Sequence, residues 1–478
     1  MFNWSTAALV ATCACISLVS AVQNVKVQGA DFVNNVTSNR LQIIGVAYQP
    51  GGSDAFGKGS DPLSNGTLCL RDAALMQSLG VNTIRVYNLD PTLNHDDCVS
   101  IFNAVGIYML LDVNSPLPDQ SLNPGDLDGS YSSTYLNHIF SVVEAFHNYP
   151  NLLGFFSGNE VMNDVGDGGP VPPYIRAVTR DLTNYIAKHS PRLIPVGYSA
   201  ADVKEILTDS WAYLSCAIDG KMDPSRIAFF GLNSYSWCGP TSDTANYVAS
   251  SYDQLVDEFG KTSIPVFFSE YGCNKVEPRV FDEVPVLYGN MTDVMSGGLV
   301  YEYYEETSNN YGLVWLYDNG TAQIRVDYDN LQSQYNKLDI KALESGNSSA
   351  TMIQPPSCSK SLIQSSTFNN SFVIPDVPSG GQELINNGIK DPMNGKLVSV
   401  TQTQVALPVY GSNGGLLKDL AIKPLADDQS NTPDGGSTSG TTTSSGSNPS
   451  GTKKSEAVQL AATAYLLAGI LVSCIFNL

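Results

Sequence analysis

Two glutamates carry the chemistry open to this chain. Glu160 closes the string Ser157-Gly158-Asn159-Glu160, and Glu270 sits in Phe268-Ser269-Glu270-Tyr271-Gly272. Each ends an apolar run that reads as a buried strand, Leu152–Phe156 before the first and Ile264–Phe268 before the second. A carboxylate at the C-terminal end of such a strand is costly unless it is paired or works. Two carboxylates facing one cleft suffice to cleave a glycosidic bond. They supply both the proton and the nucleophile, so no metal and no cofactor is expected. A retaining site predicts carboxyls about 5–5.5 Å apart, an inverting one about 9 Å.

The elements that must hold them follow from periodicity. Short apolar, β-branched runs recur as Leu41–Ala47, Val81–Tyr87, Ile107–Val113, Leu152–Ser157, Leu193–Tyr198, Ile227–Asn233, Ile264–Ser269 and Gly298–Tyr303. Amphipathic stretches such as Arg71–Leu79, Thr134–Asn148, Pro172–His189 and Asn246–Gly260 lie between them. This alternation predicts a (β/α)8 TIM barrel, an α/β fold. An open doubly wound sheet is the rival, but no Gly-rich phosphate loop follows the first strand. On the barrel map Glu160 follows strand four and Glu270 strand seven, both at the face where barrels keep their chemistry. The other residues there are polar or aromatic: Tyr48-Gln49, Tyr87-Asn88, Asp112 with Asn114, Asn233-Ser234-Tyr235 and Tyr301-Glu302-Tyr303-Tyr304. Singly, each is more often structural, and Asp112 could simply cap a helix. Their convergence favours a site.

The ends say where the chain works. Residues 1–21 carry no charged side chain and hold the apolar run Ala7–Val19, with Val19-Ser20-Ala21 as the cleavage signal, so the mature chain is expected to start at Val22. After the Ser/Thr/Gly-rich stretch 427–450 come a short polar spacer and the apolar tail Ala457–Leu478, with nothing charged behind it. That order predicts a GPI-attachment signal over 451–478, removed on maturation, with attachment in Ser444–Gly451. A tail-anchored helix is the alternative. The expected location is the outer face of the plasma membrane and the cell wall. A formal net charge of −21 argues against nucleic acid and suits a neutral polymer such as a polysaccharide. Of nine cysteines, Cys13 and Cys15 leave with the leader and Cys474 with the tail. The remaining six imply disulfides, with 15 pairings open by sequence alone. Glycosylation acceptors occur at Asn35, Asn65, Asn290, Asn319, Asn347 and Asn369.

Several blocks, in order, resemble fungal glycoside hydrolase family 72, the β-1,3-glucanosyltransferases. They are Gly45–Gly52, Arg85-Val86-Tyr87, Gly158-Asn159-Glu160-Val161, Asn233–Cys238, Ser269–Cys273, Gly297–Tyr301 and Asn310–Val314. The match runs from Val25 to Ser345. The resemblance implies an enzyme that cuts a β-1,3-glucan internally and transfers the new reducing end to the non-reducing end of another chain. It makes Glu270 the nucleophile and Glu160 the acid/base, whose carboxyl should then carry the raised pKa. Asn159 would hold the sugar 2-hydroxyl and Tyr235 would touch the nucleophile. Gln49, Tyr87, Asp112, Tyr303 and Tyr311 would line sugar subsites, with Tyr301 and Tyr304 competing for the role of Tyr303. It implies the disulfides Cys69–Cys98, Cys216–Cys358 and Cys238–Cys273; the barrel map also places the first and third of these pairs in neighbouring segments. Of the six remaining cysteines only Cys358 lies past Cys273, so the cysteine-rich carbohydrate-binding module of some members is not expected. Residues 22–345 are the expected catalytic domain. Residues 346–426 read as a small β-rich appendage with strand-like pieces such as Lys396–Leu407. A monomer is expected. A secreted endo-β-1,3-glucanase would use the same two carboxylates and is the alternative function; a non-catalytic wall glycoprotein would need one of them lost.

Overall fold

Eight parallel strands close into a barrel in chain order, the eighth pairing back onto the first. The computed structural model describes residues 22–433 apart from 53–55, 58, 219, 221, 307–308, 347–351 and 428. The leader, the tail and the Asn347 acceptor lie outside the described residues. The strands are Ile43–Ala47, Thr83–Val86, Tyr108–Asp112, Leu152–Asn159, Val196–Ala201, Phe230–Asn233, Val266–Tyr271 and Met295–Val300. All eight overlap the runs the periodicity picks out, with the fifth and sixth starting three residues later than expected and the eighth three residues earlier. The eighth stops three residues short of the expected Tyr303, which matters below.

Alternation along the strands divides the core. Ile43, Leu110, Phe156, Phe229, Phe267 and Leu299 point into the barrel and pack together, while Ile44, Met109, Leu111, Phe155, Val266, Phe268 and Val300 join the strand–helix layer. The inward-facing positions change character with height. Leu110 is followed two residues on by Asp112, Phe229 by Gly231 and Asn233, and Phe267 by Ser269. The barrel is therefore apolar at the N-terminal pole and polar at the C-terminal one. A small sheet of Val25–Gln28, Asp31–Asn34 and Arg40–Leu41 plugs the apolar pole, with the Phe32 ring 5.8 Å from Phe229 and 5.9 Å from Phe267.

The helix Gly66–Leu79 starts at Asn65, whose side chain accepts from the Thr67 and Leu68 amides, and ends at Gly80 in the left-handed region. Inside it the buried Arg71–Asp72 pair receives the hydroxyls of Tyr48 at 2.9 Å and Tyr303 at 2.8 Å.

The appendage departs from expectation. A small extra sheet is present, formed by Val314–Leu316, Ala322–Ile324 and Val409–Tyr410. Only its last strand belongs to the appendage, and Lys396–Leu407 forms no strand. Instead residues 352–433 run as a strap around the outside of the barrel, because barrel helices present polar side chains that satisfy its backbone. Asp209 accepts from the Gln364 and Ser365 amides, Asp96 from Lys396 and Ser100 from Val398, while the Tyr213 hydroxyl donates to the Ser371 carbonyl. Phe368, Ile385, Val409, Leu420 and Ile422 join the same core as the barrel helices, so the strap is a layer of one domain. The docked chain also continues past the expected start of the spacer at Asp427. Asn431, 1% exposed, donates to the carbonyls of Gln77 and Val81 and takes the Gly106 carbonyl on its amide, at the turns entering strands two and three. The structure contains the disulfides Cys69–Cys98, Cys216–Cys358 and Cys238–Cys273.

Candidate active site

Glu160 and Glu270 stand at the C-terminal ends of strands four and seven and are joined by one hydrogen-bond network. The Glu270 carboxylate accepts three donors: Tyr235 Oη at 2.6 Å, Tyr87 Oη at 3.0 Å and Arg85 Nη1 at 3.3 Å. Glu160 accepts from Asn233 Nδ2 at 2.8 Å. The same amide nitrogen donates to Asn159 Oδ1 at 3.1 Å, and Arg85 Nη2 donates to that oxygen at 2.8 Å. Asn233 Oδ1 is in turn fixed by the hydroxyls of Ser199 and Ser269. Glu160 has a positive φ of 49°, a conformation a non-glycine residue holds only when its surroundings impose it. Its amide donates to the Ser199 carbonyl at 2.9 Å, which anchors the bend.

Arg85 is the hub, and sequence reasoning gave it no role. Its Nε and Nη2 form a two-pronged bridge to Asp112 at 2.9 and 3.1 Å, leaving Nη1 for Glu270. Its guanidinium also lies under the Tyr87 ring, 4.5 Å from the centroid. The available signal was parity, since Arg85 shares the inward face with Tyr87 on a strand too buried for an idle charge. Asp112, expected to line a sugar subsite, is held from below by Arg85. It is 3% exposed, and both oxygens are engaged by Arg85 beneath the cleft. Burial pushes the Asp112 carboxyl up and the Arg85 charge opposes that.

Burial also pushes Glu270 above the ordinary glutamate range. Arg85 and Tyr235 hold it back, Glu160 adds to the rise and Tyr87 opposes it. The expected raised carboxyl was Glu160, but Glu270 is the more enclosed of the two at 8% exposed. Burial keeps the phenols of Tyr87 and Tyr235 neutral, so they remain donors.

The remaining residues sort by direction. Gln49 turns its oxygen to the Tyr87 and Asn88 amides at 3.3 and 3.1 Å, latching the end of strand two. Tyr311 lies on the cleft wall, its ring 5.5 Å from Tyr235. Tyr303 does not. It is wholly buried, bonded to Asp72 and packed on Tyr48 at 5.6 Å. Strand eight ends at Val300, so Tyr301 takes the position at the mouth, within 6.4 Å of Tyr87, 6.3 Å of Tyr235 and 5.3 Å of Tyr311. Behind it Glu302 is 1% exposed, and burial with neighbouring Glu306 pushes it up to about 8.

The chain matches the family model described as Glucanosyltransferase, Glyco_hydro_72, over residues 14–339. It is 53% identical over 433 residues to 1,3-beta-glucanosyltransferase gel2 of Aspergillus fumigatus, covering 90% of this chain and 89% of that protein. It is 45% identical over 409 residues to the probable 1,3-beta-glucanosyltransferase GAS3 of Saccharomyces cerevisiae, covering 82% and 77%. Among solved structures it resembles Saccharomyces cerevisiae Gas2p in complex with laminaritetraose and laminaripentaose, with a TM-score of 0.65, 36% identity and 75% of each chain covered. The chain belongs to glycoside hydrolase family 72, the glucanosyltransferases.

Proposed function

We propose that the chain is a 1,3-β-glucanosyltransferase that cuts a β-1,3-glucan internally and passes the new reducing end to the non-reducing end of another chain. The asymmetry of the carboxylates carries the retaining double displacement, and the relatives named 1,3-beta-glucanosyltransferases support transfer over hydrolysis. Glu270 is gripped by Tyr235, Tyr87 and Arg85, which aim and stabilise an anion. Glu160 accepts from Asn233 and is only partly buried, which leaves its carboxyl open to exchange a proton with substrate. Glu160 protonates the glycosidic oxygen as Glu270 attacks the anomeric carbon, forming a covalent glycosyl-enzyme. Glu160 then takes the proton of an incoming sugar hydroxyl, which displaces Glu270. Asn159 has its oxygen occupied by Arg85 and Asn233, which leaves its amide N–H groups for the sugar 2-hydroxyl. Tyr87, Tyr235, Tyr301 and Tyr311 offer ring faces and hydroxyls to the sugar chain.

The GPI signal and wall location belong to the same reading, supported by the order of segments in the tail and by relatives named as glucanosyltransferases. Among the described residues no helix is long and apolar enough to cross a membrane. A GPI anchor predicts that phosphatidylinositol-specific phospholipase C releases the protein from membranes.

Mass analysis of products from a reduced laminari-oligosaccharide tests the activity. Products longer than the substrate mean transfer, whereas shorter ones alone mean an endo-glucanase. Glu160→Gln and Glu270→Gln should each lower turnover at least about a thousandfold with the fold intact. Near-normal turnover in either variant would overturn the assignment of roles.

A further inference from the structure

The small sheet beside the cleft has two unlike faces. Val314, Ala322, Ile324 and Val409 face inward and are buried in the core. Residues two apart on a strand share a face, as do residues paired across strands. Trp315 pairs with Gln323, Gln323 pairs with Tyr410, and Tyr317 follows Trp315 by two. Trp315, Gln323 and Tyr410 therefore form one outward row across three strands, with Tyr317 just past the first strand's end and its hydroxyl bonded to Gln323. Trp315 is 37% exposed and Tyr317 48%, and among the described residues they are the only aromatic side chains exposed to that degree.

We propose that this outer face is a second glucan-binding surface, holding a stretch of the same β-1,3-glucan chain that occupies the cleft. The proposal rests on the substrate reading above. Three observations favour a sugar polymer as occupant. Aromatic faces stack on the C–H faces of pyranose rings, and the amide of Gln323, bonded to the Tyr317 hydroxyl at 3.1 Å, supplies donors and acceptors for sugar hydroxyls. The platform is rigid. Arg71, buried in the first helix, donates to the Gly320 carbonyl at 2.6 Å and pins the hairpin, and Arg325 pairs with Glu305 while lying 5.3 Å from the Trp315 centroid. The sheet also lies a short length of chain from the cleft. Tyr311 lines the wall, and the same chain passes through Leu313 and Val314, hydrogen-bonded to Tyr303, to reach Trp315. Four residues span at most about 14 Å, so a long glucan can engage both places while a short oligosaccharide fills the cleft alone.

The test compares retention on insoluble β-1,3-glucan with transfer on a short reduced laminari-oligosaccharide. Retention is measured in the Glu270→Gln background, so that it reports binding rather than reaction. Trp315→Ala and Tyr317→Ala should each lower retention about tenfold, the loss of one aromatic anchor, and Trp315→Phe should restore most of it. In the active background neither should change kcat or KM on the oligosaccharide. Unchanged retention in both alanine variants would overturn the proposal. So would an equal fall in oligosaccharide transfer, which would place the residues in the cleft or the fold. Asn319 lies at the hairpin tip in an acceptor sequence. If retention depends on Trp315 only after Asn319→Gln, the chain's own glycan covers the face and the proposal fails. Failure of the wild-type chain to transfer would sink the catalytic reading alone, since the inactive background judges the sheet independently.

Discussion

Charge placement at single residues decides how this site works. Each donor to Glu270 favours its charged form, so losing one should raise its pKa further. Tyr235→Phe should therefore move the acid limb of the kcat/KM profile upward, toward neutral pH, as well as lowering the plateau. A lowered plateau with an unmoved limb would mean that Tyr235 contacts sugar without tuning the nucleophile. The two carboxylates were legible in the sequence because a charge at the end of an apolar strand has few innocent explanations. Asp112 was legible as inward-facing, but the sequence could not say that Arg85 would occupy both its oxygens. That outcome depends on side-chain reach across neighbouring strands, which strand parity does not encode. Tyr303 was misplaced for a related reason. Tyr301 and Tyr303 share parity, and only the end of strand eight at Val300 separates a cleft residue from one bonded to Asp72 on the first helix.

Elements were legible wherever burial imposes a period. The helix Pro172–His189 ends where its apolar face and flanking residues say, whereas Asn246–Gly260 shortens to Tyr252–Phe259 because Asn246 spends its side chain on the turn amides of Val248 and Ala249. The strap was the least legible element. Its extended pieces look like strands, but their backbone groups are met by side chains of the barrel helices rather than by a neighbouring strand. Cys216–Cys358, 142 residues apart, staples the start of this layer. Cys358→Ser should cost up to about 5 kcal/mol in the chain-entropy model, read as a fall in Tm, while oligosaccharide transfer at low temperature persists. An unchanged Tm would show that the helix side chains hold the strap without the bond.

At the scale of the whole molecule, buried acids set how stability follows pH. Burial pushes Glu283 up to about 7 and Glu302 up to about 8, so over that range the folded chain binds more protons than the unfolded one. Stability must then fall as pH rises through the window. His138, held down to about 4 by burial, acts in the opposite sense, but only below about pH 6.5, where an unfolded histidine titrates. Between pH 6.5 and 8.5 Glu302 alone should therefore remove about 2 kcal/mol. Glu302→Gln should flatten that part of the Tm curve, and a Tm that rises across it in the parent chain would contradict the account. A last consequence concerns polarity. The strap ends with Asn431 tied to Gln77, Val81 and Gly106, at the pole opposite the catalytic mouth. The described chain thus finishes at Pro433 on the pole opposite the mouth. Under the proposed GPI anchor, the catalytic mouth and the last described residue of the domain stand on opposite poles, a front and a back. Moving the tether to a loop on the catalytic pole should spare turnover of soluble oligosaccharide and impair action on wall glucan. Equal action on both substrates would show that the front-to-back arrangement has no bearing on access.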